Sequence, residues 1–173
     1  VANTVAMIAV LPGMAVGYGI VSVISQCVGS GDYEQVRYYG KKLIKWVYLL
    51  MGIVDIAIIL LTPVIIDLYG LSEATGDLAG KIILFHNICA IVIWPISFSL
   101  PNVLRAASDV MYTMIIGVGS MWIFRILSGY LLGSVFGMGV FGVWIAMIID
   151  WVVRSVCFLI RYHGGKWKHP AVR

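Results

Sequence analysis

Four ionisable residues stand inside long apolar runs: Asp55, Arg125, Asp150 and Arg154. A charge at the centre of a bilayer costs roughly 3 kcal/mol on insertion scales, so each residue needs a physical reason to be there. The chemistry open to them is proton or cation binding, or a buried ion pair. Asp150 and Arg154 are four residues apart and meet on one helix face. Arg125 lies at similar depth in the run before them, so an Arg125–Asp150–Arg154 cluster is geometrically allowed. It would act as a structural pair that fixes helix register, or as a gate or relay. Asp55 has no obvious partner and is the strongest single candidate for a titrating carboxylate, with Asp150 second.

Trp94, Phe98 and Asn102 recur at i, i+4 and i+8 and share one helix face. An aromatic stripe ending in an amide suits the wall of a cavity for an amphipathic cation; the competing reading is helix packing. His86, beside Asn87 and Cys89, is expected to be hydrogen-bonded packing. Cys27, Cys89 and Cys157 are isolated in apolar segments and form no metal-ligand set. Gly137 to Gly142 matches GxGxxG literally, but no strand precedes it, so a dinucleotide reading fails and a tight helix–helix turn is expected instead. No nucleophile–base pair or HExxH is present; an enzyme, a catalytic residue, a metal site and a cofactor are not expected.

The elements that must hold these residues follow from composition. Hydrophobic residues make up 61% and charged residues 12%, about half the charge of a soluble domain, and the mean hydropathy is +1.00. Crossing the hydrocarbon takes roughly 20 apolar residues as helix. The chain supplies that five times, at about 5–28, 43–66, 79–104, 112–134 and 140–161. All are expected to be helical, because lipid offers no partner to free backbone groups, and runs such as Ile56 to Leu61 do not alternate as a barrel strand would. The rise of about 1.5 Å per residue puts Asp55, Arg125 and Asp150 roughly 16 to 20 Å from the nearer basic end of their spans.

The basic residues orient this map. Arg37, Lys41, Lys42, Lys45, Arg105, Arg161, Lys166, Lys168 and Arg173 all fall on one face; Lys81 falls on the other. The positive-inside rule makes the first face cytoplasmic, with residues 162–173 a cytoplasmic tail. The pI near 9.0 then reports orientation in a membrane and lipid contact, not nucleic acid. The chain opens with Val1 in an apolar stretch, with no signal-peptide pattern, so an upstream span of a longer polypeptide is expected.

Local signals fit the map. Gly29 and Gly31 can end the first span, and Asp32 to Gln35 reads as a capping box. A basic amphipathic helix over 37–45 is expected at the surface, running into the second span. Tyr38, Tyr39, Trp46, Tyr48, Tyr162 and Trp167 suit an interfacial belt. Gly13/Gly17, extended by Ala9, and Gly129/Gly133 are small-residue pairs that let helices approach closely. Pro12, Pro63, Pro95 and Pro101 interrupt spans, and the two in the third span make it the expected bent element.

Taken in order, these segments resemble the multidrug and toxic compound extrusion family. The resemblance rests on Gly13-Met14-Ala15 through Gly29-Ser30-Gly31-Asp32 and its basic helix, then on Pro101 to Val110 with its Leu104-Arg105-Ala106 and Asp109. Ser120 to Arg125, Gly142 to Met147 and the closing Arg161 and Gly165-Lys166-Trp167 continue it over nearly the whole chain. The resemblance implies an all-α, polytopic membrane fold, with this chain as spans eight to twelve of twelve: five helices of a six-helix C-terminal lobe. It implies an antiporter of the plasma (inner) membrane that exports cationic or amphipathic compounds in exchange for H⁺ or Na⁺, partnered by an N-terminal lobe holding the main ion-binding carboxylates. Some members carry a further Asp three turns before the Leu-Arg; here that position is Trp94, so that site is not carried over. A lipid-linked oligosaccharide flippase of the same superfamily, with Arg125 and Arg154 holding pyrophosphate, and a non-transporting packing subunit are the alternatives.

Overall fold

The computed structural model describes residues 1–168; Arg173, the last basic residue of the expected tail, lies outside the described residues. Five long helices carry the chain: α1 (Ala2–Gly29), α2 (Tyr33–Leu68), α3 (Glu73–Ala106), α4 (Val110–Val135) and α5 (Gly139–His163). Each is long and apolar enough to cross a membrane. No strand occurs among the described residues. The connections are three or four residues long, so consecutive helices run antiparallel. This is an all-α, polytopic membrane fold.

The turns show why the helices stop where they do. The end of α1 closes through Gly31, whose φ of +74° admits a glycine without strain. Its N–H bonds Val28 O at 3.0 Å, and Asp32 N bonds Cys27 O at 3.1 Å, satisfying carbonyls the helix end would orphan. Asp32 then caps α2, accepting from Glu34 N at 3.1 Å and Gln35 N at 3.0 Å. The reciprocal half of the expected capping box is not made: Gln35 Oε1 accepts from Cys27 Sγ at 3.9 Å instead. The basic stretch 37–45 runs into the second span without a break. It forms the first turns of one 36-residue helix, about 54 Å long against roughly 30 Å of hydrocarbon, so its basic turns project beyond the apolar layer.

Helix α3 is the centre of the bundle, meeting each of the other four, and α1 packs closely against α2 and α3. The buried stripe of α1 runs Val5, Ala9, Gly13, Gly17, Ile20 at helical spacing. A Cβ on Gly13 would lie 2.7 Å from Met51 Sδ and collide with the Trp94 ring; one on Gly17 would lie 2.8 Å from Asn102 Nδ2. Two missing side chains thus let α2 and α3 close onto α1. The hairpin between α4 and α5 turns on Gly137 (φ +70°) and Gly139 (φ +55°). A Cβ on Gly142 would meet the Leu132 carbonyl at 2.8 Å. The GxGxxG run is therefore a packing device.

The α-helical pattern changes at Pro95 but not at every proline, and it also changes where there is none: α1 and α2 run unbroken through Pro12 and Pro63. Between Pro95 and Ser99 α3 becomes π-helical, since Pro95 offers no N–H to the preceding turn. Two further π segments, Met121–Ile126 and Leu131–Val135, interrupt α4, which contains no proline. Only Thr113 and Ser120 are buried along α4, leaving it the most peripheral helix. Beyond α5, Trp167 is fully buried. It stacks on Tyr162 at 5.6 Å and donates its indole N–H to Tyr162 O at 2.8 Å, so it folds against the bundle rather than standing in an interfacial belt.

Replacing Gly13 with Ala tests the closeness of α1. The added methyl must displace Met51 and Trp94, and thermal unfolding of the full-length protein in detergent should show a loss of about 1–3 kcal/mol. Gly19→Ala, where the new methyl meets nothing within 4 Å, should be neutral or slightly stabilising. Equal stability of the two variants would refute the tight three-helix contact.

Candidate functional site

The stripe on α3 reaches a cavity of about 690 Å³ between α1 and α3. Trp94, Phe98 and Asn102 form one wall and Gly13, Gly17 and Tyr18 the other. Trp94 and Phe98 stack, with centroids 5.0 Å apart and planes inclined by 21°. The π turn at Pro95–Ser99 carries Phe98. Asn102 Oδ1 accepts from Arg105 Nη1 at 3.3 Å, and Arg105 Nε donates to Thr113 Oγ1 at 3.4 Å. Arg105 is the one charged residue among the described residues lining this cavity, and no carboxylate faces it.

Behind that wall sits a charged group. Arg154 Nε lies 2.9 Å from Asp150 Oδ1 and 2.8 Å from Ser120 Oγ. The Asp150 side chain is fully buried and that of Arg154 is 13% exposed. The guanidinium lies 5.5 Å over the Phe98 ring, and Phe98 meets Trp151 edge-on at 5.6 Å. Phe98 is therefore shared: it lines the cavity and caps the ion pair. The i, i+4 pair predicted from spacing is present, but Arg125 does not join it. The π segment Met121–Ile126 rotates α4 so that Arg125 is exposed, and among the described residues no hydrogen bond or ion pair reaches it. Ser120, just before that segment, takes the place expected of Arg125.

Asp55 lies on the buried stripe of α2 and is completely enclosed. Neither of its carboxylate oxygens has a hydrogen-bond partner among the described residues. His86 is not hydrogen-bonded packing at Nδ1, which also lacks a partner. Its ring is held instead by the edges of Trp144 at 5.3 Å and Trp151 at 5.5 Å.

A second ion pair was invisible to spacing. Arg161 Nε lies 2.7 Å from Asp109 Oδ2, and Nη2 lies 3.0 Å from Oδ1, a bidentate fork. Arg161 also covers the Tyr112 ring at 4.6 Å. Asp109 precedes the first turn of α4, so this pair ties the α3–α4 corner to the end of α5. The segment Leu104 to Asp109 was singled out by resemblance, but nothing in the chain order pairs its Asp with a residue 52 positions away.

Five helices long and apolar enough to cross a membrane make this a multi-pass membrane protein. The chain belongs to the MatE family, whose model matches residues 1–131. It is 27% identical over 95% of its length to an uncharacterized transporter, YisQ, of Bacillus subtilis. It is 26% identical over 94% to a probable multidrug resistance protein, NorM, of Thermotoga maritima, and 24% identical over 82% to its namesake in Neisseria meningitidis. The chain spans about a third of the length of these curated relatives. No solved structure matches it significantly.

Breaking the corner pair gives a structural test. Asp109→Asn and Arg161→Gln should each cost about 1.5–3 kcal/mol, because the remaining partner loses charge-assisted bonds. The double variant should cost less than their sum in thermal unfolding. Strict additivity would show that the fork contributes nothing.

Proposed function

We propose that this chain is five helices of the six-helix C-terminal lobe of a secondary antiporter that exports cationic or amphipathic compounds in exchange for H⁺ or Na⁺. The observation that carries this reading is the aromatic-walled cavity at Trp94, Phe98 and Asn102. Stacked rings attract a cation through their quadrupoles and bury its apolar body. The cavity supplies no counter-charge of its own, so the acid that neutralises a bound cation belongs to the facing N-terminal lobe. Two relatives are named as probable multidrug resistance proteins, which agrees with a broad aromatic wall.

Transport then runs by alternating access: two lobes rock about a central site, and the coupling ion biases the equilibrium between orientations. Of the two candidate carboxylates, Asp55 is the one we assign to that ion, because Arg154 already engages Asp150 in a structural or gating pair. The clustering of Arg37, Lys41, Lys42 and Lys45 with Arg161, Lys166 and Lys168 at one end supports a cytoplasmic C-terminus in the plasma membrane. The flippase alternative requires free arginines for pyrophosphate. Arg154 is engaged by Asp150 and Ser120, and Arg125 does not line the cavity.

Efflux of a fluorescent aromatic cation from proteoliposomes of the full-length protein tests the reading. Trp94→Ala and Phe98→Ala should each raise the half-saturating concentration about tenfold, the equivalent of roughly 1.4 kcal/mol of lost ring contact. Ile88→Ala, on an exposed face of α3, should leave it unchanged. Saturation curves that ignore both aromatic variants would remove the cavity from the transport route.

A further inference from the structure

The apolar interior falls into two separate clusters. One contains Met51, Ala90 and Trp94; the other contains Ala9, Ile58 and Ile83. Asp55 and Asn87 stand at the seam between them. On α2, Asp55 falls between Met51 and Ile58 of the buried stripe. On α3, Asn87 falls between Ile83 and Ala90. Met51 and Trp94 both close on Gly13, and Ile58 and Ile83 share a cluster with Ala9, so the three helices pass this level in register. The layer between the seals is thus Ala9 and Gly13 from α1, Asp55 from α2, and Asn87 and Ala90 from α3. Ala9, Asp55, Asn87 and Ala90 are each fully buried, and the residues that α1 buries at this level are Ala9 and Gly13.

The acceptors of this layer are unmatched. Asn87 donates one Nδ2 hydrogen to Ile83 O at 2.7 Å, and the other makes no hydrogen bond to Asp55. Asn87 Oδ1 and both oxygens of Asp55 are three buried acceptors with no donor among the described residues. Buried acceptors without donors are costly, and an unpaired buried carboxylate far more so. No side-chain charge offsets it. Helix α1 carries no Asp, Glu, Lys, Arg or His; its titratable side chains, Tyr18 and Cys27, lie more than two turns from Ala9, and on α3 Lys81 is exposed. His86 turns to Trp144 and Trp151 of α5. On α2 itself Lys45 is exposed, nearly three turns away. A hard metal ion takes about six or more oxygen ligands; three are on offer. A proton needs only two of them.

We propose that Asp55 and Asn87 form one proton-binding site. With the layer closed, Asp55 is a neutral carboxylic acid whose O–H donates to Asn87 Oδ1. The proton comes from solvent and returns to it. Each passage requires one of the two seals to part, Met51 with Trp94 on one side or Ile58 with Ile83 on the other. The site rests on the antiporter reading only for the use made of the proton, which it names as the ion this lobe carries.

Infrared difference spectroscopy of the full-length protein in lipid, titrated in H₂O and D₂O, tests the site. Wild type should show the carbonyl band of a buried carboxylic acid at neutral pH. That band should vanish in Asp55→Asn, and in Asn87→Ala it should move to higher frequency as its hydrogen bond is lost. Asn87→Gln, which displaces the amide oxygen by one methylene, must also move it and serves if the alanine variant fails to fold. The proposal is overturned if wild type and Asp55→Asn show the same acid bands, if neither Asn87 variant moves the band, or if Na⁺ at constant pH abolishes it. Efflux measured alongside separates the two readings. A band that behaves as stated beside efflux indifferent to pH keeps the site and removes antiport. Proton-driven efflux with no Asp55 band keeps antiport and overturns the site.

Discussion

The contact of Gly13 with Trp94 and Met51 is the constraint on which most of the rest depends. In lipid there is no hydrophobic force to press helices together, so close backbone approach must supply the contact energy. Glycine at position 13 lets a tryptophan ring lie directly against the α1 backbone. That one contact sets the spacing of α1, α2 and α3. It also places the Trp94 face on the cavity and closes one side of the layer that holds Asp55. A larger residue at 13 would have to displace Trp94 and Met51, and so would disturb all three together.

The polar groups inside the helices show two ways of meeting the same cost. Asp150 and Asp109 are each matched to an arginine, and Asp150 shares Arg154 with Ser120. These pairs join elements that are distant in sequence: α4 to α5 through Ser120, and the α3–α4 corner to the end of α5 through Arg161. Loss of either partner leaves a charge stranded, so both pairs resist change and suit a fixed framework. Asp55 is the exception. It is as buried as Asp150 but has no donor. A framework gains nothing from a carboxylate without a partner, whereas a site that must accept and give up an ion does.

Sequence patterning made the five helices legible because the bilayer permits so few alternatives: hydropathy marks the spans and lipid forces them to be helical. Asp32 as a cap and Asp150 with Arg154 were readable because both are local, three and four residues in reach. Arg125 was misplaced for a definite reason. Projecting its side chain from helical spacing assumes an unbroken α-helix, and the π segment from Met121 changes the azimuth of everything after it. Pro95 announces the π turn in α3, but α4 has no such marker. The Asp109–Arg161 fork joins residues 52 apart, and no single-chain pattern encodes that distance. The seam at Asp55 was half legible: the lone aspartate stood out, but Asn87 became its neighbour only once three helices were set in register.

The division of labour in this lobe follows from where its charges are absent. The cavity has aromatic faces, one arginine and no acid; the buried layer has an acid and no opening of its own. On the proposed reading, a compound in the cavity and a proton at Asp55 do not compete for the same atoms, so this lobe would not exchange them by direct displacement. Coupling must instead pass through something both sites touch, and Trp94 meets that description: one part of it faces the cavity, and with Met51 it seals the layer. Its stacking partner Phe98 carries the same wall to Arg154 and Asp150. The Trp94 ring lies against Gly13 on one side and beside the π-helical turn on the other, so a movement of α1 against α3 would disturb the cavity wall and the seal over Asp55 together. In an exchanger of the proposed kind, occupancy of the cavity and access to Asp55 would then be two consequences of one movement, coupled by a differential affinity for its two end states.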